Sequence, residues 1–589
     1  MTEPLQPADQ DALPTLTQVA RVEGVSVPLI QPAKAPRGGR ARWAIALVAT
    51  LVVVLVAGGL VAFAGAGAPS VGPAYAPADA LLYLDIRGDL PGDQPQQLAT
   101  FMAHFPGFAD PSSLPTKLDQ ALDKLVSKAT NGAYTYSGNI EPWFGGQLAV
   151  AVGPSDSVVL VASVSDSAGL PTKLDQTSQQ LASQLGGSLA IADHGGTSVY
   201  TISGATGVSG LAAVSFAIST DAIVVAKDAA TVDAALDRKA GKSPNLAGSS
   251  GFRDAVGRLD ADRVGTFYLD GAAAATLLTS ASATSACGSA ATLAGLPTSM
   301  AGELRLQDGN LVIRDRADLP AASTSPAPAA TSDLASHVPA GALVYAETHA
   351  FGDLWRTQAA ALIQNPCFSS VASQLSTIEG LLGTKIPDAF GWVKDAGVVM
   401  TAPGGAPQGG LVATTSDAAT GQARLTQVLT LLGLAKGQGG PSITTSSAPY
   451  AGTTITSVTV DMGTATGTGA TNGMPSSVTL SYAFKDQLFV LGVGDAFVKS
   501  VLDTTDATSL ASDGRYSAAL SAAGGPTDSG VLYADVTGIR GLVEAQLPAA
   551  QKAQYSADVQ PYLTPFDRLI SVRDDSAGSE SDTTIIFTK

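Results

Sequence analysis

Twenty-two consecutive residues without a charge, WAIALVATLVVVLVAGGLVAFA from Trp43 to Ala64, constrain this chain more than any other feature. A helix rising 1.5 Å per residue needs about 20 apolar residues to cross the ~30 Å hydrocarbon core of a bilayer. Lipid offers the backbone no hydrogen-bond partner, so such a run crosses only as a helix. Lys34, Arg37, Arg40 and Arg42 stand just before it, and the first charge after it is Asp79. By the positive-inside rule, residues 1–42 lie in the cytoplasm and the bulk of the chain lies outside the plasma membrane. Ala62-Phe63-Ala64 has the small-x-small form of a cleavage site. However, a 42-residue leader and an apolar run longer than 7–15 residues do not fit a signal peptide, so the segment is read as an uncleaved single-pass anchor.

At 589 residues the chain exceeds one ordinary core, and 45% hydrophobic against 14% charged residues gives it enough apolar surface to fold. A net charge of −17 excludes a nucleic-acid surface, which needs a basic patch. Only four histidines are present, and the two cysteines, Cys287 and Cys367, form no C-x-x-C pair. Neither a metal site nor any cofactor is expected. Outside the cell, the two cysteines are candidates for a disulfide; two buried thiols are the alternative.

The expected organisation is a flexible tail over 1–42, a transmembrane helix over 43–64 and a Gly/Ala/Pro stalk over 65–78. An α+β unit over 79–318, a Pro/Ala/Ser linker over 319–336 (LPAASTSPAPAATSD at its start) and a second α+β unit over 337–589 follow. The two units resemble each other. PADALLYLDIRG from Pro77 matches PAGALVYAETHA from Pro339, with Tyr83 opposite Tyr345 and Asp85 opposite Glu347. FAISTDAIVVAKDAATVDAAL at 216–236 parallels YAFKDQLFVLGVGDAFVKSVL at 482–502, and FYLD at 267–270 parallels LYAD at 532–535. The offset drifts little over some 240 residues, which reads as two tandem copies of one domain.

Within the first copy, strands are expected at 81–86, 147–153, 157–164, 197–203, 213–219, 222–227, 265–270, 301–307 and 311–316. Helices are expected near 94–104, 114–129, 170–185, 229–239 and 249–258, with Asp228 and Ser249 as caps. Asp308-Gly309 is a hairpin signal. Short turns between strands favour mostly antiparallel sheets packed by helices over a doubly wound parallel sheet. In the second copy, 436–453 and 462–477 read as surface loops.

The search for chemistry returns little. Gly241-Lys242-Ser243 lacks the first glycine of a phosphate loop, Leu236 standing in its place, and Gly467-Thr468-Gly469 lacks the strand and helix of a dinucleotide site. Asp85 with Asp89, and Glu347 with Asp353, could be paired carboxylates, but solvated strand ends explain them more simply. Trp143-Phe144 is best read as an aromatic lid on the core, and His104 and Phe105 as packing residues.

The order of GDQ at 92–94, FPGF at 105–108 and PWFG at 142–145 resembles the domain-of-unknown-function family 3352. The second copy departs from it, keeping Gly352-Asp353 without the glutamine and IPDAFG at 386–391 in place of PWFG. The resemblance implies a bacterial envelope protein with an N-terminal membrane helix and a large outer region. It implies no established activity and carries no catalytic residues. The expected role is a non-enzymatic binding or scaffold module of the envelope. Its partners would be the lipid bilayer through residues 43–64 and an envelope protein or wall component. A carrier of lipid or another apolar ligand is the alternative, with an uncharacterised hydrolase behind it.

Overall fold

The computed structural model describes residues 69–589 except 130–131, 133, 155–156, 166–177, 181, 184–186, 205–212, 276–296, 321–331, 365–374, 377–378, 381, 436–441, 462–476, 527–528 and 577. Residues 43–64, the basic residues before them, Cys287 and Cys367 therefore lie outside the described residues. Among the described residues, no helix is long and apolar enough to cross a membrane.

The class is α+β, with every strand pairing antiparallel. Among the described residues, ten strands occupy the first half: β1 Leu82–Arg87, β2 Phe144–Val152, β3 Val158–Val164, β4 Ser188–His194, β5 Thr197–Ser203, β6 Ala213–Ile218, β7 Ala222–Ala226, β8 Gly265–Asp270, β9 Ser299–Gln307 and β10 Asn310–Asp318. Ten more occupy the second: β11 Val344–Thr348, β12 Val393–Thr401, β13 Gln408–Thr415, β14 Ser442–Tyr450, β15 Thr453–Asp461, β16 Ser477–Lys485, β17 Leu488–Val493, β18 Gly530–Ala534, β19 Phe566–Ser576 and β20 Ser579–Thr588. Through the first half the sheet runs β4-β5-β6-β7-β3-β2-β1-β8-β9-β10. The second half runs in the same scheme outward from β20, as β20-β19-β18-β11-β12-β13-β17-β16-β15-β14. β10 pairs with β20 along eight residues, so both halves belong to one uninterrupted twenty-stranded sheet.

Tight turns set the registers. At Asp308 (φ 51°) and Gly309 (φ 73°) both turn residues are left-handed, the backbone that a two-residue hairpin requires. Ala451-Gly452 and Gly195-Gly196 turn the same way between β14 and β15 and between β4 and β5. β4 and β14 were not anticipated as strands: β14 replaces much of the loop expected at 436–453. They are the outermost strands, mostly exposed, and lack the apolar alternation that marks a half-buried strand.

Helices cover both faces: α1 Gln94–Ala103, α2 Leu114–Ala129, α3 Ala229–Lys239, α4 Ser250–Val256, α5 Phe351–Gln364, α6 Ala418–Ala435, α7 Asp495–Leu502, α8 Gly514–Ala523 and α9 Val536–Gln546. Asp228 caps α3 by accepting from Thr231 N at 2.8 Å. Ser249 occupies the cap position of α4 but makes no side-chain cap bond, contrary to expectation. In the first core, Tyr83 lies opposite Tyr268 across β1 and β8, and Phe252 of α4 packs edge-on against both rings at 5.5 and 5.2 Å. In the second, Tyr345 lies opposite Tyr533 across β11 and β18, and Tyr516 of α8 meets them at 6.0 and 5.3 Å.

The expected stalk at 65–78 is corrected over its described part. Tyr75 and Ala76 are wholly buried in the first core, and Leu246 N donates to Ala76 O. The C-terminal end of the expected linker is likewise drawn in, since Leu334 is wholly buried in the second core.

On one face of the β10–β20 seam, Asp315 stands directly opposite Asp582. Burial, then the charges of Asp582 and Glu580, push the Asp315 carboxyl up to about 6, with Arg573 opposing. A carboxyl raised in the folded state adds stability that is full below its unfolded value near 4 and is lost as pH climbs through about 6. Asp315→Asn is therefore expected to be more stable than the parent at pH 8, by on the order of 1 kcal/mol after solvent screening. The gap should close by pH 4 in urea unfolding monitored by circular dichroism. An equal gap at both pH values would refute the assignment.

Candidate functional site

Side chains two apart on a strand share a face, so β1 presents Tyr83, Asp85 and Arg87 together. The Tyr83 hydroxyl donates to Asp85 Oδ2 at 3.0 Å and lies 3.1 Å from Ser70 Oγ. Burial first, then the Asp85 charge, pushes this phenol well above its ordinary range. Asp85 is itself buried, and its Oδ1 has no partner among the described residues. Asp89 does not join Asp85 as a second acid. Arg87 clamps it through Nε and Nη2, at 3.1 and 2.9 Å, and Gln147 Nε2 adds a third bond at 2.9 Å.

The matching strand in the second half carries a different set. Tyr345 donates to Glu347 Oε2, and His349 Nε2 sits 3.1 Å from Glu347 Oε1. The His349 and Glu347 side chains are only 4% and 3% exposed. Close by, Asp395 (1% exposed) accepts from Ala350 N at 3.1 Å and from Thr414 Oγ1 at 3.2 Å. Asp353, the sequence's candidate partner for Glu347, instead faces solvent, 70% exposed and paired with Arg356 at 2.6 Å. The grouping of Glu347, His349, Asp395 and Thr414 was missed; its signal was polar residues at every second position of strands otherwise built for burial.

The remaining motifs resolve into structure. Gln94 is wholly buried, donating to Leu306 O at 3.0 Å and accepting from Leu306 N at 2.8 Å. It thereby pins the start of α1 to β9. Gly92 adopts φ 59°, and a Cβ there would meet the Asp262 carboxylate at 2.7 Å. The second half has no such glutamine, and α5 packs beside β12 instead. Trp143 donates from Nε1 to Asn139 O at 2.7 Å and lies edge-on to Phe144, which opens β2. In place of PWFG, Phe390 packs on Trp355 at 5.0 Å. Phe105 packs on Phe101 and Phe566, as expected, while His104 also bonds through Nδ1 with Thr588 Oγ1 at 2.8 Å.

Open grooves mark the described surface. One, of about 500 Å³, is bordered by His104, Phe105, Pro106, Pro561, Pro565 and Lys589; another, of about 400 Å³, by Glu544, Lys552 and Tyr555. Neither reaches the buried polar sets. Among the described residues, no three His, Cys, Asp or Glu side chains are placed to hold a metal ion.

Sealed from water, the second set acts on stability. Removing one member of a buried charged group strands the others at a cost of about 3–5 kcal/mol. Glu347→Ala should lose on that order in chemical denaturation, whereas Glu347→Gln, which still accepts hydrogen bonds, should lose less than half as much. Equal losses would show that the carboxylate's partners contribute nothing.

Among solved structures, crystal forms I and III of TP0453 match at 10% and 11% identity, covering 43% of this chain and 80% and 81% of theirs, with a TM-score of 0.22 in both cases. A likeness at that level carries nothing about function. No curated protein matches the chain. The model of the family described as "Protein of unknown function (DUF3352)" matches residues 41–584, and the chain belongs to that family.

Proposed function

We propose that this chain is a single-pass membrane protein with residues 1–42 in the cytoplasm, whose outer body is an internal duplication serving as a binding or scaffold module of the cell envelope. The observation that carries this reading is the uninterrupted sheet. Two sets of ten strands with one pairing scheme are fused through β10 and β20 into one extended sheet. Buried polar residues are taken up inside the body: His349 pairs with Glu347, and Asp395 accepts from the backbone of Ala350. The shared tyrosine positions Tyr83 and Tyr345, and the shared bridges Pro77 to Asn245 and Pro339 to Ser509, support duplication. The topology rests on the uncharged run at 43–64 behind Arg40 and Arg42.

Protease added to intact cells should degrade the body and spare an N-terminal tag, and crosslinking in cells should capture a specific envelope component. Protection of the body with loss of the tag would invert the topology. Capture no greater than from a chain ending at residue 78 would remove the scaffold role.

A further inference from the structure

Given the anchor at 43–64, on which this inference rests, the body has almost no tether. Gln147 holds the first described residues, accepting from Val71 N at 3.0 Å through Oε1 and approaching Pro69 O at 3.5 Å through Nε2. Ser70 lies against Tyr83, and Tyr75 is wholly buried. Only residues 65–68 therefore separate the end of the apolar run from the folded body. Fully extended, the five steps from Ala64 to Pro69 reach about 18 Å. The headgroup layer takes up roughly 5–8 Å of that on each side of a bilayer. The remaining reach, roughly 10–13 Å, holds the tethered end of the body that close above the headgroups at most.

Trp143 and Phe144, four and three residues before Gln147, lie within about 14 Å of that tie along the chain. Gln147 lies in β2, three residues beyond Phe144, and Trp143-Phe144 forms the turn that enters the strand. Trp143 is half-buried, its indole held by Asn139 O and its ring edge-on to Phe144 at 6.3 Å. Tryptophan is enriched at the membrane–water boundary because its ring is amphipathic. We propose that the Trp143-Phe144 turn rests in the lipid headgroup layer, so that the body docks on the bilayer in one orientation. The short tether favours lipid over a protein partner here, since it leaves no room for a folded domain beneath this side. With the chain at −17, the contact should be apolar and should persist at high salt.

The test uses the full chain in phosphatidylcholine vesicles containing brominated lipid, a short-range quencher of tryptophan. Of the four tryptophans, Trp43 opens the apolar run and reports insertion, while Trp355 and Trp392 belong to the second half. Quenching should fall by about half in Trp143→Phe, stay near the parent level in Trp355→Phe, and be unchanged by 0.5 M salt. Inserting twenty Gly/Ser residues after Gly67 should weaken it without altering the Trp143 turn. If Trp143→Phe and the inserted chain both quench like the parent, docking is wrong while the anchor stands. If no chain floats with the vesicles, the anchor reading falls and docking falls with it.

Discussion

The pairing of β10 with β20 is the contact on which the architecture depends. When the hairpins are superposed on their left-handed glycines, Gly309 and Gly578, Arg314 corresponds to Thr583, and these two residues lie directly opposite each other. A residue facing its own counterpart marks a local two-fold, the self-complementary geometry of an isologous interface. Here that geometry is internal to one chain. A lone half would leave the long strand β10 or β20 as an open edge, and pairing them satisfies both rows of backbone groups. The carboxylates at Asp315 and Asp582 are brought together by this register, whereas the symmetry-related pair, Ile313 and Thr584, carries no charge.

Because the sheet imposes equivalent places, the differences between the halves are informative. Arg87, Gln147 and Ser163 stand in the first half where His349, Asp395 and Thr414 stand in the second. In both, a backbone N–H at the start of the second strand donates to a hydroxyl on the third, at 2.8 Å from Gln147 to Ser163 and 3.2 Å from Asp395 to Thr414. Buried polar groups must be hydrogen-bonded, but nothing requires the same groups in each half. Gln94 has the larger effect: its two bonds to Leu306 draw α1 over β9, whereas α5, with no such side chain, settles beside β12.

What could be read from the sequence follows burial. Central strands such as β7, Ala222–Ala226, are continuous apolar runs and were legible to within a residue or two, as was the Asp308-Gly309 turn. The edge strands β4 and β14 were not, because pairing on one side through backbone bonds leaves no apolar signature. The sealed set around Glu347 was half legible. Tyr345 and Glu347 stood out by comparison with Tyr83 and Asp85, but Asp395 and Thr414 come from distant strands that only the sheet order brings alongside. The stalk was misread for a related reason: GAGAPSVGPAYAPA is dominated by small residues and proline, yet Tyr75 supplies a large buried ring against the first core.

Closing one pair of edges at the seam leaves another pair at the ends. β4 carries Asp193 and His194, and His194 is held by Asp233 and Asp237 of α3 at 3.5 and 3.0 Å, so charge guards that edge. β14, SITTSSAPY, has no charge; among the described residues it meets α6, and Ser447 bonds Thr456 of β15 at 3.2 Å. Among the described residues no strand pairs with its outer side, and such an edge can pair with another strand. The chain's net charge of −17 opposes that approach between copies of the chain.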